Sequence, residues 1–273
     1  QVAYPEFILD EEKLDQYYDG LDVNDTDSYS EMLEKVERQK IEFWFKMLTK
    51  PASHFDLESS SATVAPIYIP TTNSLRLPAA ILQAPLFHHT FPRALNYGGL
   101  GALIGHEITH AFDDVGRQFD ANGNVREWWD PNTKKQFEDR AQCVINQYEE
   151  IEIPGTAFKI NGKLSQGEII ADNGGVKQAY KAYKAYLQKL GREEERIKCV
   201  EQFSNEQMFF LGYAMVRCEH FTRDAMFFRL VQDPHPPERY EVNQVLANQP
   251  EFAAAFKCKV GSAMNPAKRC VVW

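Results

Sequence analysis

The chain lacks any run of eighteen apolar residues, so nothing in it reads as a membrane-spanning helix. It lacks a basic surplus as well. Its 39 acidic residues outnumber 30 basic ones for a net charge of -9, which gives a phosphate-binding surface no support and argues against nucleic acid as a partner. Cysteine is scarce: Cys143, Cys199, Cys218, Cys258 and Cys270 are an odd number, so at least one thiol is free or pairs outside the chain. None has C-x-x-C spacing, which argues against a structural zinc knuckle or a dithiol redox centre. Internal repeats and low-complexity tracts are missing. The chain opens on Gln1-Val2-Ala3-Tyr4-Pro5 with neither an initiator Met nor a basic-then-apolar leader, so a fragment or a processed chain is expected. The sequon Asn24-Asp25-Thr26 marks Asn24 as a glycosylation candidate, and with the cysteine usage it leans towards an oxidising, extracellular setting.

What the chain has is enough apolar content, 44% of 273 residues, to fill one large core or two modest ones. Its most informative stretch is Gly105-His106-Glu107-Ile108-Thr109-His110-Ala111-Phe112-Asp113-Asp114. On a helix, His106 and His110 project from one face, where two imidazoles can close on a single Zn²⁺ at about 2.1 Å. Glu107 beside them is placed to act as a general base. With seven His in the chain, a chance H-E-x-x-H has a probability on the order of one per cent. Asp113 lies three residues after His110 and seven after His106, so its carboxylate can brace the ligand face from behind. Asp114 points elsewhere and reads as a solvated or capping residue.

Along the chain, a short helix is expected around Glu11 to Tyr18. A second should run from Ser28, an N-cap with Glu31 three residues on, to about Leu48, burying Met32, Leu33, Val36, Phe43, Trp44 and Met47 until Pro51 stops it. After a small polar linker at Ser59 to Ala62, Val64 to Ile69 and Leu75 to Leu82 read as strands around the turn Pro70-Thr71-Thr72-Asn73. An exposed strand edge there could hold an extended peptide by its main chain. Gly98, Gly99 and Gly101 ahead of the metal motif suggest close packing or a backbone approach. Helices are expected over Asn132 to Glu150, Leu164 to Leu190 and Asn205 to Leu230, the last carrying Cys218. Gly191 ends the second of these, whose inward side is Ile169, Ile170, Val176, Tyr180, Tyr183 and Leu187.

Near the start of that long helix, Glu168 and Asp172 stand four apart on one face. Such a pair is usually solvated. Beside a two-His site, however, a Glu on a second helix is a standard third zinc ligand, and an Asp one turn later can accept a ligand ring N–H. In Asp233-Pro234-His235-Pro236-Pro237, the histidine reads either as a surface residue or as a hydrogen-bond donor to an oxyanion. His54, His88, His89 and His220 have no comparable partners and read as structural or surface residues.

With those segments in view, the chain resembles the C-terminal catalytic part of the neprilysin and endothelin-converting-enzyme family of zinc metallopeptidases. The resemblance rests on residues 78–87, 95–124, 167–175, 233–237 and 264–273, in the family's order. It implies a mainly α (α+β) fold, a thermolysin-like zinc peptidase lobe with a small β-hairpin or sheet beside the active-site helix. Residues 1–58 would be a helical segment leading into a catalytic lobe at 59–273, itself part of a larger ectodomain, secreted or anchored by a single membrane span. One Zn²⁺ per chain would be held by His106, His110 and Glu168, with Glu107 as base, Asp172 as the outer carboxylate and His235 stabilising the tetrahedral intermediate. Ile81, Leu86, Leu103 and Val216 would line an apolar pocket for the residue after the scissile bond. Cys143 would pair with Cys270, while Cys218 and Cys258 would pair with cysteines of an N-terminal lobe of the same precursor. Cys199 has no counterpart.

Three positions depart from the family pattern. Ala65 replaces an Asn that clamps substrate backbone, and Pro66 beside it has no N–H to donate. Glu241 falls where the family has an Arg that grips the substrate carbonyl, leaving Arg239 as the nearby replacement. Arg217 falls where Trp is usual. Each lost charge-assisted bond would cost on the order of 1.5 to 3 kcal/mol, two to four decades together in transition-state binding. The expectation is a zinc metalloendopeptidase acting on peptides at the amino side of apolar residues. Its alternative is a zinc-binding pseudopeptidase that serves as a binding or scaffold subunit. An unrelated hydrolase with the same motif is disfavoured by the downstream segments.

Overall fold

A computed structural model describes residues 2–4, 6–50, 60 and 62–273. Pro51, His54 and half of the expected linker at 59–62, and with it the expected boundary at 58/59, lie outside the described residues. The protein is mainly helical. Helix α1 (Glu11–Tyr17) and helix α2 (Tyr29–Met47) come first, α2 opening on the expected box in which Ser28 N–H donates to Glu31 Oε2 at 2.8 Å. A three-stranded sheet follows in the order β1-β3-β2: β1 (Val2–Ala3) lies parallel to β3 (Ser74–Pro78), and β2 (Ile67–Ile69) is antiparallel to it. The hairpin is shorter than expected because Pro66 cannot donate to a ladder and Pro78 leads straight into a single turn, Ala79–Ile81. The pairing of β1 was not anticipated, since two residues show no period.

The metal motif ends a composite helix. Its parts are α3 (Arg93–Asn96), a wide π section (Tyr97–Gly101) and α4 (Ala102–Thr109). Then come α5 (Pro131–Glu149), α6 (Gln166–Leu190, closed by left-handed Gly191), α7 (Asn205–Met215), α8 (Arg223–Gln232), α9 (Glu238–Asn248) and α10 (Pro250–Ala255). The helix expected over Asn205 to Leu230 is therefore two. It breaks at 216–222, where Arg217 is drawn inward by buried carboxylates and the Thr222 hydroxyl accepts from Ala225 N–H to start a new helix. Cys218 sits in that break rather than on a helix.

Helix α6 is the central rod. Ile169 and Ile170 join a core with Phe137, Val144 and Tyr148 of α5, while Val176, Tyr183 and Leu187 join another with Phe209, Phe210 and Tyr213 of α7. The Cys143–Cys270 disulfide, with Cα atoms 5.6 Å apart, ties the C-terminal tail to α5, and Trp273 stacks on Phe137. The buried face expected of α2 is not formed among the described residues: none of its side chains is fully buried, and Leu33, Val36 and Trp44 are exposed. Its half-buried side packs on α1, through Phe43 against Tyr17.

The most extensive helix pair among the described residues is α4 on α6, and two glycines make it possible. A Cβ on Gly175 would lie 2.5 Å from the His106 backbone nitrogen and 2.8 Å from the Ala102 carbonyl oxygen; one on Gly105 would lie 2.6 Å from the Gly175 carbonyl oxygen. The backbones touch, which fixes the turn of α6 that precedes Gly175 against the imidazoles of α4. Alanine in a helix normally gains about 1 kcal/mol over glycine, but overpacking against backbone costs about 1 to 3 kcal/mol. Gly175→Ala should therefore lower the thermal unfolding midpoint and weaken metal retention. An alanine variant more stable than the parent in denaturant titration would contradict this packing.

Candidate metal centre

Because α4 keeps a regular period, His106 and His110 face the same way, and their Nε2 atoms stand 2.9 Å apart. Glu168, on the first turn of α6, brings Oε2 to 3.3 Å from the former and 3.5 Å from the latter. Each ring is held from behind. His106 Nδ1 lies 2.6 Å from Asp172 Oδ1, and His110 Nδ1 lies 2.6 Å from Asp113 Oδ2. An ionised carboxylate only accepts, so both Nδ1 atoms carry hydrogens and both Nε2 lone pairs point inward at Glu168 Oε2. Three acceptors thus converge on one point. Glu168 Oε2 is buried and has no hydrogen-bond partner in good alignment.

Such convergence is repulsive unless a cation occupies the middle. Ligands bonded at about 2.1 Å in a tetrahedron sit roughly 3.4 Å apart, which the observed separations approach, so the donor set fits one divalent ion of zinc's preferences. Without an ion, protons fill the place. Burial disfavours a charged His110, yet the carboxylates of Asp113 and Glu168 outweigh it and push the ring up to about 10. His106 is likewise buried but raised, chiefly by Asp172. Burial would raise Glu168, but the close imidazoles of His106, His110 and His235 hold it well below the usual carboxylate range.

Glu107 points into the same cleft of ≈ 480 Å³, whose lining includes Pro66, Tyr68, His106, His110, Glu168 and His235. Its Oε2 accepts the Tyr68 backbone N–H at 2.7 Å, so edge strand β2 holds the base in place. Burial pushes the Glu107 carboxyl up. His235 also arrives here: Nε2 lies 3.1 Å from Glu168 Oε2, and Nδ1 lies 2.9 Å from Asp233 Oδ1. The hydrogen bond with Glu168 offsets burial and pushes this ring up to about 9.

Other expected residues divide. Leu86 and Val216 meet at Gly99, where an added Cβ would lie 2.7 Å from the Leu86 carbonyl oxygen and 3.4 Å from Val216 Cγ1. Ile81 is fully buried with Leu86 packed on its cluster, and Leu103 is half-buried one turn before His106. Ala65 is exposed and outside the cleft lining, which begins at Pro66. Arg239 is exposed on the first turn of α9 and also outside the lining. Glu241 is fully buried, 3.0 Å from Arg217 Nη1. Asp114 is half-buried rather than freely solvated: it lies beside Gly167, where Oδ1 is enclosed without a hydrogen-bond partner. Three features escaped the sequence reading. They are the Tyr68 N–H on Glu107, Asp233 behind His235, and Arg217, which donates to Asp172.

The chain is similar to several known peptidases. Residues 66–272 match the model of peptidase family M13. Across its whole length the chain is 54% identical to neprilysin-1 of Caenorhabditis elegans, and over 272 residues it is 38% identical to endothelin-converting enzyme 1 of Rattus norvegicus. It covers 36% and 35% of those proteins, about a third of each. The solved structure of a Mycobacterium tuberculosis zinc metalloprotease, Zmp1, in complex with an inhibitor, superposes with a TM-score of 0.80 at 31% identity, over 89% of this chain and 38% of that one.

If protons stand in for the cation, loading must expel them. Apparent zinc affinity should rise with pH up to about 10, the value to which the His110 ring is pushed, with roughly two protons released per site. Calorimetry in buffers of different ionisation heat measures this. Affinity independent of pH would contradict the proton-filled site.

Proposed function

Since the chain belongs to peptidase family M13, we propose that it is the catalytic portion of a zinc-dependent endopeptidase that cuts peptides on the amino side of apolar residues. One observation supports this above the rest: two imidazole nitrogens and the Glu168 carboxylate converge in a cleft that also holds Glu107 and His235. When bound, the zinc supplies Lewis-acid polarisation of the scissile carbonyl and a more acidic water. Glu107, oriented by Tyr68 N–H and made more basic by burial, takes the proton from the attacking water and returns it to the leaving amine. His235, with Nδ1 committed to Asp233, presents Nε2–H to the developing oxyanion. The open edge of β2 offers main-chain carbonyls to an extended substrate, since Pro66 has no N–H and that of Tyr68 is held by Glu107.

The apolar preference is our reading of Leu86 and Val216, which meet at Gly99, with Ile81 packed beside Leu86 and Leu103 one turn before His106; none of the four is in the lining of the metal cleft. Extracellular or membrane-anchored origin is part of the same proposal. The Cys143–Cys270 bridge supports an oxidising compartment, and exposed Asn24 is open to glycosylation. Exposed Cys218 and half-buried Cys258 have no disulfide partner among the described residues and are offered to an N-terminal lobe of the precursor.

Glu107→Gln should keep zinc and lose nearly all turnover. His235→Gln should lower kcat by about 10²- to 10³-fold with a smaller change in KM. Cleavage of a peptide library by the full-length precursor, parent against each variant, reads both. Equal background cleavage by parent and Glu107→Gln would sink the peptidase reading in favour of a binding subunit.

A further inference from the structure

Arg217 enters the centre from the turn between α7 and α8, with only 8% of its side chain exposed. Its Nη2 donates to Asp172 Oδ1, the same oxygen that accepts from His106 Nδ1. Its Nη1 donates to Glu238 Oε2 at 2.9 Å and stands 3.0 Å from Glu241 Oε1. The guanidinium lies over the Tyr213 ring at 5.1 Å, and that tyrosine's hydroxyl donates to Asp172 Oδ2 at 3.4 Å. One planar cation is thus shared by a carboxylate of α6 and two of α9, and rests on an aromatic face of α7. The fork shape matters, because a point charge could not reach Asp172 and Glu238 together.

Glu241 sits at zero exposure, and neither of its oxygens has a hydrogen bond in good alignment. A carboxyl so placed is costly unless a buried cation faces it, and Arg217 is the cation that does. With Arg217 removed, Asp172 would keep its acidic neighbours and lose its strongest donor. The His106 ring would then lose a fixed brace.

We propose that Arg217 is a positioning residue for the metal centre, which clamps Asp172 and through it sets the ring plane and tautomer of His106, with the buried Glu241 carboxyl packed against the guanidinium. The proposal rests on the zinc reading of His106, His110 and Glu168. It gives Arg217 and Glu241 one shared role, a guanidinium and a carboxyl packed together across two elements.

The test uses the full chain, with zinc affinity from chelator competition, the visible spectrum of the cobalt-loaded form, and unfolding of the metal-free form. Arg217→Met should weaken zinc binding about 10- to 100-fold and shift the cobalt bands. Arg217→Lys should recover only part of that loss. The double variant R217M/E241Q should regain stability, since the unpaired acid is gone, but not zinc affinity, since Asp172 still lacks its donor. Where Arg217→Met fails to fold, the lysine and double variants supply the comparison. Parent-like zinc affinity and cobalt spectrum in folded Arg217→Met, or recovery of affinity along with stability in the double variant, would overturn the proposal. His110→Ala serves as the control for the underlying reading: parent-like zinc in that variant would sink the metal site itself, whatever Arg217 does.

Discussion

The contact on which the rest depends is the backbone-to-backbone approach of α4 and α6 at Gly105 and Gly175. Helices separated by ordinary side chains lie 8 to 10 Å apart in general, too far for a short carboxylate on one to reach an imidazole on the other in two places at once. Removing the side chains at this crossing lets Glu168 and Asp172, one turn apart on α6, meet His106 on its two ring nitrogens. The same approach brings Glu168 to His110. Both glycines give up helix propensity, and geometry at the metal centre is what they gain. The π section ahead of α4 belongs to the same arrangement, since Gly98 and Gly99 there pack directly on Phe209 and Leu86.

Around that crossing, buried charge is balanced layer by layer. Glu168 and the two imidazoles make an inner set that a cation or protons neutralise. Asp172 and Asp113 fix the rings, and each is itself fixed, Asp113 by the backbone N–H groups of Val115 and Gly116 and Asp172 by Arg217. Arg217 brings Asp172 well below the ordinary carboxylate range despite its burial, while burial and the Asp172 charge push the adjacent Glu241 up. Removing one partner of such a set leaves an uncompensated charge, which is why its members act as a unit.

How much of this was legible in the chain follows from how local each feature is. His106 with His110 and Glu168 with Asp172 repeat at the helical period, so each pair announced itself, and Ser28 with Glu31 did the same for a cap. The break at 216–222, the enclosure of Asp114 beside Gly167 and the pairing of Arg217 with Glu241 all depend on residues distant in the chain, which periodicity does not encode. The face of α2 makes the complementary point. Its apolar stripe showed which side seeks cover, but not whether anything among the described residues would cover it. Composition likewise could not distinguish Arg239 from Arg217 as the buried guanidinium; only the fold shows one exposed and the other enclosed.

The central claim is that three acceptors converge here because a zinc ion belongs between them. X-ray absorption at the zinc edge of the loaded chain tests it most directly. The account predicts a shell of nitrogen and oxygen donors near 2.0 to 2.1 Å with the outer scattering of about two imidazoles and no sulfur. A sulfur shell near 2.3 Å, or a purely oxygen shell without imidazole scattering, would contradict it.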